Sequence, residues 1–135
     1  MQGKEGICMV GLVIVSHSEN LAKSVVEFTS MMAKDAVIAP AGGLEDGSFG
    51  TSFERIQSAI ESVYSEDGVI VLMDLGSAVM TTEMVLEMME GPKIAMADCP
   101  LVEGAVIASI SAVGGKSFEE ILQDLDKVRE MRKLQ

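Results

Sequence analysis

Residues 11–18 read GLVIVSHS and decide the fold of this chain. The run Met9 to Val15 is apolar and rich in β-branched side chains, which is typical of a strand covered on both faces of a sheet. Ser18 is a good N-cap residue for a helix that follows at once. A buried strand leading into a helix indicates a β-α-β unit, whose strands run parallel.

The same alternation of strand and helix continues along the chain. Further strands are predicted at residues 36–39, 69–73 and 94–97. The first helix is predicted to bury Leu21, Val25, Phe28 and Met32, and the last to bury Phe118, Ile121, Leu122, Leu125 and Val128. The capping boxes Thr51/Glu54 and Ser117/Glu120 each predict the start of a helix. Pro100 predicts another helix start, and Gly91-Pro92 predicts a helix end. Residues 40–50 are predicted to form a glycine-rich loop.

Four strands separated by helices predict an α/β fold, an open four-stranded parallel sheet with helices on both faces. With 135 residues, we expect one domain over 9–135 and a flexible N-terminal leader over 1–8. The two cysteines form neither a disulfide framework nor a zinc-ligand spacing, and Cys99 is expected to be a small core residue. Cysteine usage and the lack of a signal-peptide pattern favour a cytoplasmic protein.

The charge balance excludes two classes of partner. Lys and Arg number 10 and Asp and Glu 21, so the formal net charge is −11. Such a surface repels nucleic-acid phosphates, and no basic amphipathic stretch would bind an anionic membrane. The 11 methionines are expected to be pliable core filling rather than a partner surface.

Polar side chains follow each predicted strand, where ligands gather in open parallel sheets. His17, the only histidine, follows the first strand, and Asp74 follows the third. If Asp74 bonds one imidazole nitrogen, the other keeps its lone pair and can act as a nucleophile. The hydroxyls and backbone N–H groups of nearby residues could surround a phosphoryl group on the imidazole: Ser16, Ser18, Thr51, Gly76 and Ser77. No metal site is expected.

Simpler interpretations of these residues stay open. A lone histidine in a polar loop is often exposed and without a function. The role of Asp74 could be simply to cap the next helix. A Ser-His-Asp hydrolase is disfavoured because no nucleophile-elbow motif occurs, and a phosphate-loop NTPase because its lysine motif is absent. A receiver domain would need acidic residues where Ser16, His17 and Ser18 stand.

Four segments in the same order carry a resemblance to a known family. They are GLVIVSHS (11–18), GTS (50–52), VLMDLGSA (71–78) and PLVEGA (100–105). The chain resembles the phosphotransferase subunits of bacterial phosphoenolpyruvate-dependent dihydroxyacetone kinases, within the mannose-type enzyme IIA superfamily of the sugar phosphotransferase system.

The resemblance implies a phosphohistidine carrier that binds no cofactor. His17 would accept a phosphoryl group on Nε2 from the phosphocarrier protein HPr, with Asp74 orienting the ring. His17 would then pass the group to ADP held in the nucleotide-binding subunit of the kinase. A homodimer is also implied, while Glu103 and Thr51 would lie only near the rim of the site. A mannose-type component of sugar uptake, or a non-catalytic module binding an anion or a partner, remains the alternative.

Overall fold

The computed structural model describes residues 9–89 and 92–134. The elements are β1 (Gly11–Ser16), α1 (Glu19–Thr29), β2 (Ile38–Gly42), α2 (Phe53–Val63), β3 (Val69–Met73), α3 (Gly76–Met88), β4 (Ile94–Ala97), α4 (Leu101–Val113) and α5 (Phe118–Val128). The expected leader over 1–8 and the glycine of the Gly91-Pro92 stop lie outside the described residues. In the described part of the chain, no helix combines the length and apolarity needed to cross a bilayer.

The four strands form one parallel sheet in the order β2-β1-β3-β4, which confirms the predicted fold class. Alternate residues of β1 face opposite sides, as the strand period of two requires. Leu12 and Ile14 belong to a core with α1, α4 and α5. Val13 and Val15 belong to a second core with α2 and α3. Burial on both faces explains why β1 is a continuous apolar run.

The buried face predicted for α1 is confirmed at one of its four positions, Val25, and is wrong at the other three. Ala22, Val25 and Thr29 are the buried side chains of α1, while Leu21, Phe28 and Met32 are exposed. The helical period was correct, but small side chains let α1 approach β1 and β2 closely. The larger apolar side chains consequently lie on the outer surface.

Two predictions near β2 and α2 also need correction. Pro40 belongs to β2, where it lies opposite Ile14, rather than to the predicted loop. A proline fits there because β2 is an edge strand. The N-cap of α2 is Ser52, whose hydroxyl accepts a hydrogen bond from the Arg55 N–H, and not Thr51. The capping box at Ser117 and Glu120 is confirmed.

The methionines do not fill the core as expected. Among the methionines that the structure describes, six have exposed side chains: Met31, Met32, Met80, Met84, Met88 and Met131. The two cores consist mainly of Val, Ile, Leu and Ala, which pack closely with few rotamers. Met73 and Met89 pack against the edge of the second core, while the six exposed methionine side chains extend into solvent.

Gly42 allows β2 to contact the start of α1, and a side chain there should destabilise the protein. A Cβ on Gly42 would come within 2.4 Å of the Ser18 carbonyl oxygen. We expect Gly42→Ala to lower the free energy of unfolding by about 1–3 kcal/mol, the usual effect of overpacking. Urea denaturation measures the change. Gly114→Ala is the control, because its nearest contacts of 3.4 and 3.5 Å are ordinary. Equal effects of the two substitutions would contradict this prediction.

Candidate active site

His17 and Asp74 meet at the carboxyl end of the sheet. His17 directly follows β1 and Asp74 directly follows β3, and these strands are neighbours in the sheet. The His17 Nδ1 lies 2.9 Å from Asp74 Oδ1. The register of the two strands pairs Val15 with Met73. The residues that follow them therefore leave the sheet side by side. The pairing of adjacent strands therefore produces the contact between imidazole and carboxylate.

Asp74 is held by four hydrogen bonds. Its Oδ1 accepts from the His17 imidazole and from the Leu75 N–H, at 2.9 and 2.7 Å. Its Oδ2 accepts from the Ser16 hydroxyl and from the His17 N–H, at 2.9 and 3.0 Å. Burial of the carboxyl raises its pKa, but the hydrogen bonds outweigh burial and hold the pKa of Asp74 below its ordinary value. Asp74 is therefore a carboxylate at neutral pH.

The charge on Asp74 determines which imidazole nitrogen can react. A carboxylate only accepts hydrogen bonds, so His17 Nδ1 must carry the proton in this contact. In a neutral ring the lone pair is then on Nε2. The Ser77 hydroxyl lies within hydrogen-bond distance of Nε2 and can donate to that lone pair. The His17 side chain is 27% exposed, so Nε2 remains within reach of a reactant from solvent.

The N-terminus of α3 adjoins His17. The helix begins at Gly76, and its N-cap residue Leu75 makes no side-chain cap. Gly76 is exposed, and a Cβ built on it would meet no atom within 4 Å. The first N–H groups of a helix lack partners within the helix, and its dipole favours an anion. The surroundings of Nε2 thus offer polar donors to a phosphoryl group.

Two serines of the predicted phosphoryl-binding set have other partners in the structure. The Ser16 side chain is fully buried, donates to Asp74 Oδ2 and accepts from the Ser18 N–H at 3.0 Å. Its hydroxyl therefore supports Asp74 rather than facing the outer surface of the site. The Ser18 hydroxyl caps α1 by accepting from the Leu21 N–H at 3.1 Å.

Thr51 reaches the site through a residue that the sequence analysis missed. The Thr51 and Thr81 hydroxyls lie 2.8 Å apart, and Thr81 donates to the Ser77 carbonyl at 3.0 Å. Because Thr81 has one hydroxyl proton, Thr51 is the donor in their contact. The sequence signal that could have identified Thr81 is its position four residues after Ser77, because side chains four positions apart share a helix face. The pair connects the loop before α2 to the first turn of α3.

Glu103 and Cys99 lie near the start of α4, and their surroundings do not make them reactive. Glu103 pairs with Lys133 at 2.7 Å. Cys99 packs against the core, as expected from the sequence. Burial, with a smaller contribution from Asp98, raises the pKa of the Cys99 thiol to about 11. The thiol is therefore protonated at neutral pH, and the nucleophilic form is scarce.

The arrangement is suited to holding a group on Nε2 but lacks a cationic partner of its own. Over residues 9–89 and 92–134, no Lys or Arg side chain bonds to His17, Asp74 or Ser77. Phosphoryl transfer depends mainly on in-line positioning and on neutralising the phosphoryl charge. The described residues bring together an oriented imidazole nitrogen, a hydroxyl and a helix N-terminus.

Comparisons of this chain with a family model and with known proteins agree on one family. Residues 11–122 match the EIIA-man family, described as PTS system fructose IIA component. The chain is 39% identical over 118 residues to the phosphotransferase subunit DhaM of the PTS-dependent dihydroxyacetone kinase of Lactococcus lactis, covering 87% of this chain and 94% of that subunit. It is 38% identical over 123 residues to the Escherichia coli phosphoryl donor subunit DhaM of the PEP-dependent kinase, covering 86% of this chain but 26% of that longer protein.

A solved structure supports the fold. The phosphotransferase system component EIIA from Streptococcus agalactiae aligns with a TM-score of 0.68 at 15% identity, covering 90% of this chain and 93% of the other. The family match spans most of the chain, and the Lactococcus relative is matched over nearly its whole length. The chain therefore belongs to the mannose-type enzyme IIA family and, within it, to the phosphotransferase subunits of dihydroxyacetone kinases that depend on the phosphotransferase system.

Proposed function

We propose that this chain carries a phosphoryl group on His17 Nε2 between phosphorylated HPr and ADP bound in the nucleotide-binding subunit of dihydroxyacetone kinase. The observation that carries the proposal is the contact of His17 Nδ1 with the ionised Asp74. This contact leaves the Nε2 lone pair facing Ser77 and the start of α3. Membership of the kinase subunit family supports the same role.

Uptake of the phosphoryl group is a displacement at phosphorus. The Nε2 lone pair forms the N–P bond, and the bond from phosphorus to HPr breaks with its electron pair left on HPr. Asp74 stabilises the cationic ring that results, because Nδ1 keeps its proton and its hydrogen bond. Ser77 then turns its hydroxyl from Nε2 toward a phosphoryl oxygen, where negative charge is highest.

Release reverses the roles. A terminal oxygen of ADP attacks the phosphorus, and the N–P bond breaks with its electron pair returning to Nε2. The products are ATP in the kinase subunit and a neutral His17 ready for another cycle. Among the residues that the structure describes, no cationic side chain bonds to this site, so we expect groups of the partner protein to neutralise the charge on the transferring group. A homodimer, implied by the family resemblance, and a cytoplasmic location, expected from the sequence, belong to the same proposal. Sedimentation equilibrium tests the dimer.

The test is phosphorylation of the purified chain by phosphoenolpyruvate, enzyme I and HPr. We expect one phosphoryl group by intact mass, mapped by peptide analysis to His17, labile to acid and stable to base. Addition of the ADP-loaded kinase subunit should remove it and produce ATP. Phosphorylation without discharge to ADP would favour a sugar-uptake component instead. Absence of phosphate on the folded chain would leave only the binding module.

A further inference from the structure

Helix α3 exposes a row of methionines that no element of the described chain covers. Met80, Met84 and Met88 are 66%, 56% and 70% exposed, and we call them the methionine ridge. Residues spaced by four lie on one helix face, so the three side chains form a continuous apolar strip. Glu83 and Glu87 border the strip and are also exposed. Exposed apolar strips of this kind mark interaction surfaces more often than single exposed residues do.

The methionine ridge begins at the candidate active site. Ser77, which contacts His17 Nε2, precedes Met80 by three positions and so lies next to it on α3. Leu75, beside Asp74, adds an exposed apolar side chain at the same edge. From Ser77 the ridge extends about 17 Å along the helix, at about 1.5 Å per residue. A protein bound at His17 would therefore lie next to the start of the ridge.

The proposed function determines what kind of molecule covers this surface. A reacting group must come within about 3–3.5 Å of Nε2, so a protein donor has to cover the rim of the site. A stable protein interface buries about 800 Å² on each partner, which extends well beyond one imidazole. Helix α3 has no Lys or Arg and carries Glu83 and Glu87, within a chain of net charge −11. The complementary surface is apolar with a basic border.

We propose that the methionine ridge is the docking surface for the protein that donates the phosphoryl group to His17, and that this donor presents an apolar patch bordered by Lys or Arg. The proposal rests on the proposed function, in which HPr is the donor. Methionine suits such a surface because its unbranched, flexible side chain adapts to the shape of a partner that binds only briefly.

Two phosphoryl donors of different size separate docking from chemistry. Phosphorylated HPr has to dock, whereas phosphoramidate is a small molecule that reaches Nε2 without a protein interface. The quantity to compare is the ratio of the phosphorylation rate at low HPr concentration to the rate with phosphoramidate. For Met84→Lys we expect this ratio to fall about tenfold or more. The substitution removes apolar area and places a cation against the donor's apolar patch, close to its basic border. Met84→Leu keeps the apolar area, so its ratio should stay within about threefold of the unsubstituted chain.

Met31→Lys is the matched control, because Met31 is 71% exposed and lies beyond the end of α1. An equal ratio in Met84→Lys and Met31→Lys would overturn the docking proposal. So would a change from dimer to monomer in Met84→Lys by sedimentation, since a second copy of the chain would then cover the ridge. If neither donor phosphorylates His17 in the unsubstituted chain, the proposed function itself fails.

Discussion

His17→Ala is expected to abolish phosphorylation while the protein stays folded. The substitution removes the only histidine of the chain and with it the nucleophilic Nε2. Asp74 keeps its hydrogen bonds from the Ser16 hydroxyl, the His17 backbone N–H and the Leu75 N–H, so the carboxylate remains satisfied. We therefore expect the free energy of unfolding to change by less than about 1 kcal/mol.

Intact mass after incubation with phosphoenolpyruvate, enzyme I and HPr measures the first effect, and urea denaturation the second. His17→Gln is the matched variant, because its amide can still donate to Asp74 but offers no imidazole nitrogen. Both variants should remain free of phosphate. Stoichiometric phosphate on His17→Ala would place the carried group on another residue and remove His17 from the mechanism.

Asp74→Asn is expected to slow phosphorylation by up to about 10⁴-fold, the loss that a wrong imidazole tautomer causes in catalytic sites. An amide at position 74 can present its NH₂ to His17 Nδ1. A neutral imidazole whose Nδ1 accepts this hydrogen bond carries its proton on Nε2. Nε2 then has no lone pair with which to attack phosphorus. The amide also provides no negative charge to stabilise the phosphorylated ring.

Rapid-quench phosphorylation by HPr measures this rate. Asp98→Asn is the control, because Asp98 follows β4 at the same end of the sheet and its side chain is 92% exposed. We expect Asp98→Asn to keep the rate of the unsubstituted chain. A rate for Asp74→Asn that equals the control rate would remove the orienting role of Asp74.

Asp74 also links the site to stability at low pH. The pKa of Asp74 is lower in the folded chain than its ordinary value of about 3.9, so the carboxylate stabilises the fold above that pH. This contribution is lost as the pH falls through the lower, folded pKa. The stability difference between the unsubstituted chain and Asp74→Asn should therefore shrink below about pH 4, as urea denaturation at a series of pH values would show. A constant difference would contradict the link.

Asp74→Ala is a poorer test of mechanism than Asp74→Asn. The alanine would leave the buried Ser16 hydroxyl without its carboxylate acceptor. An unpaired buried polar group costs about 1–3 kcal/mol. The Asp74 side chain joins the ends of two neighbouring strands, so its removal should affect stability as well as phosphorylation.

The amino-acid sequence alone predicts the architecture and indicates that His17 and Asp74 could meet. Continuous apolar runs of strand length, separated by capped helices, permit few arrangements other than a parallel sheet with helices on both faces. In such a sheet the residues that follow neighbouring strands meet at one edge. This reasoning needs the period of the apolar pattern, the positions of two polar residues and the strand order. The structure supplies the strand order, which makes β1 and β3 neighbours.

The roles of the other side chains depend on contacts that appear only in the folded chain. The direction of the Ser16 hydroxyl depends on where the carboxylate of Asp74 lies, and Thr81 acquires its role from its contact with Thr51. The buried face of α1 and the exposure of the methionine ridge depend on which surfaces neighbouring elements cover. Local sequence sets periodicity, but contacts between residues far apart in the chain decide which face of each helix is buried and which hydroxyl finds which partner.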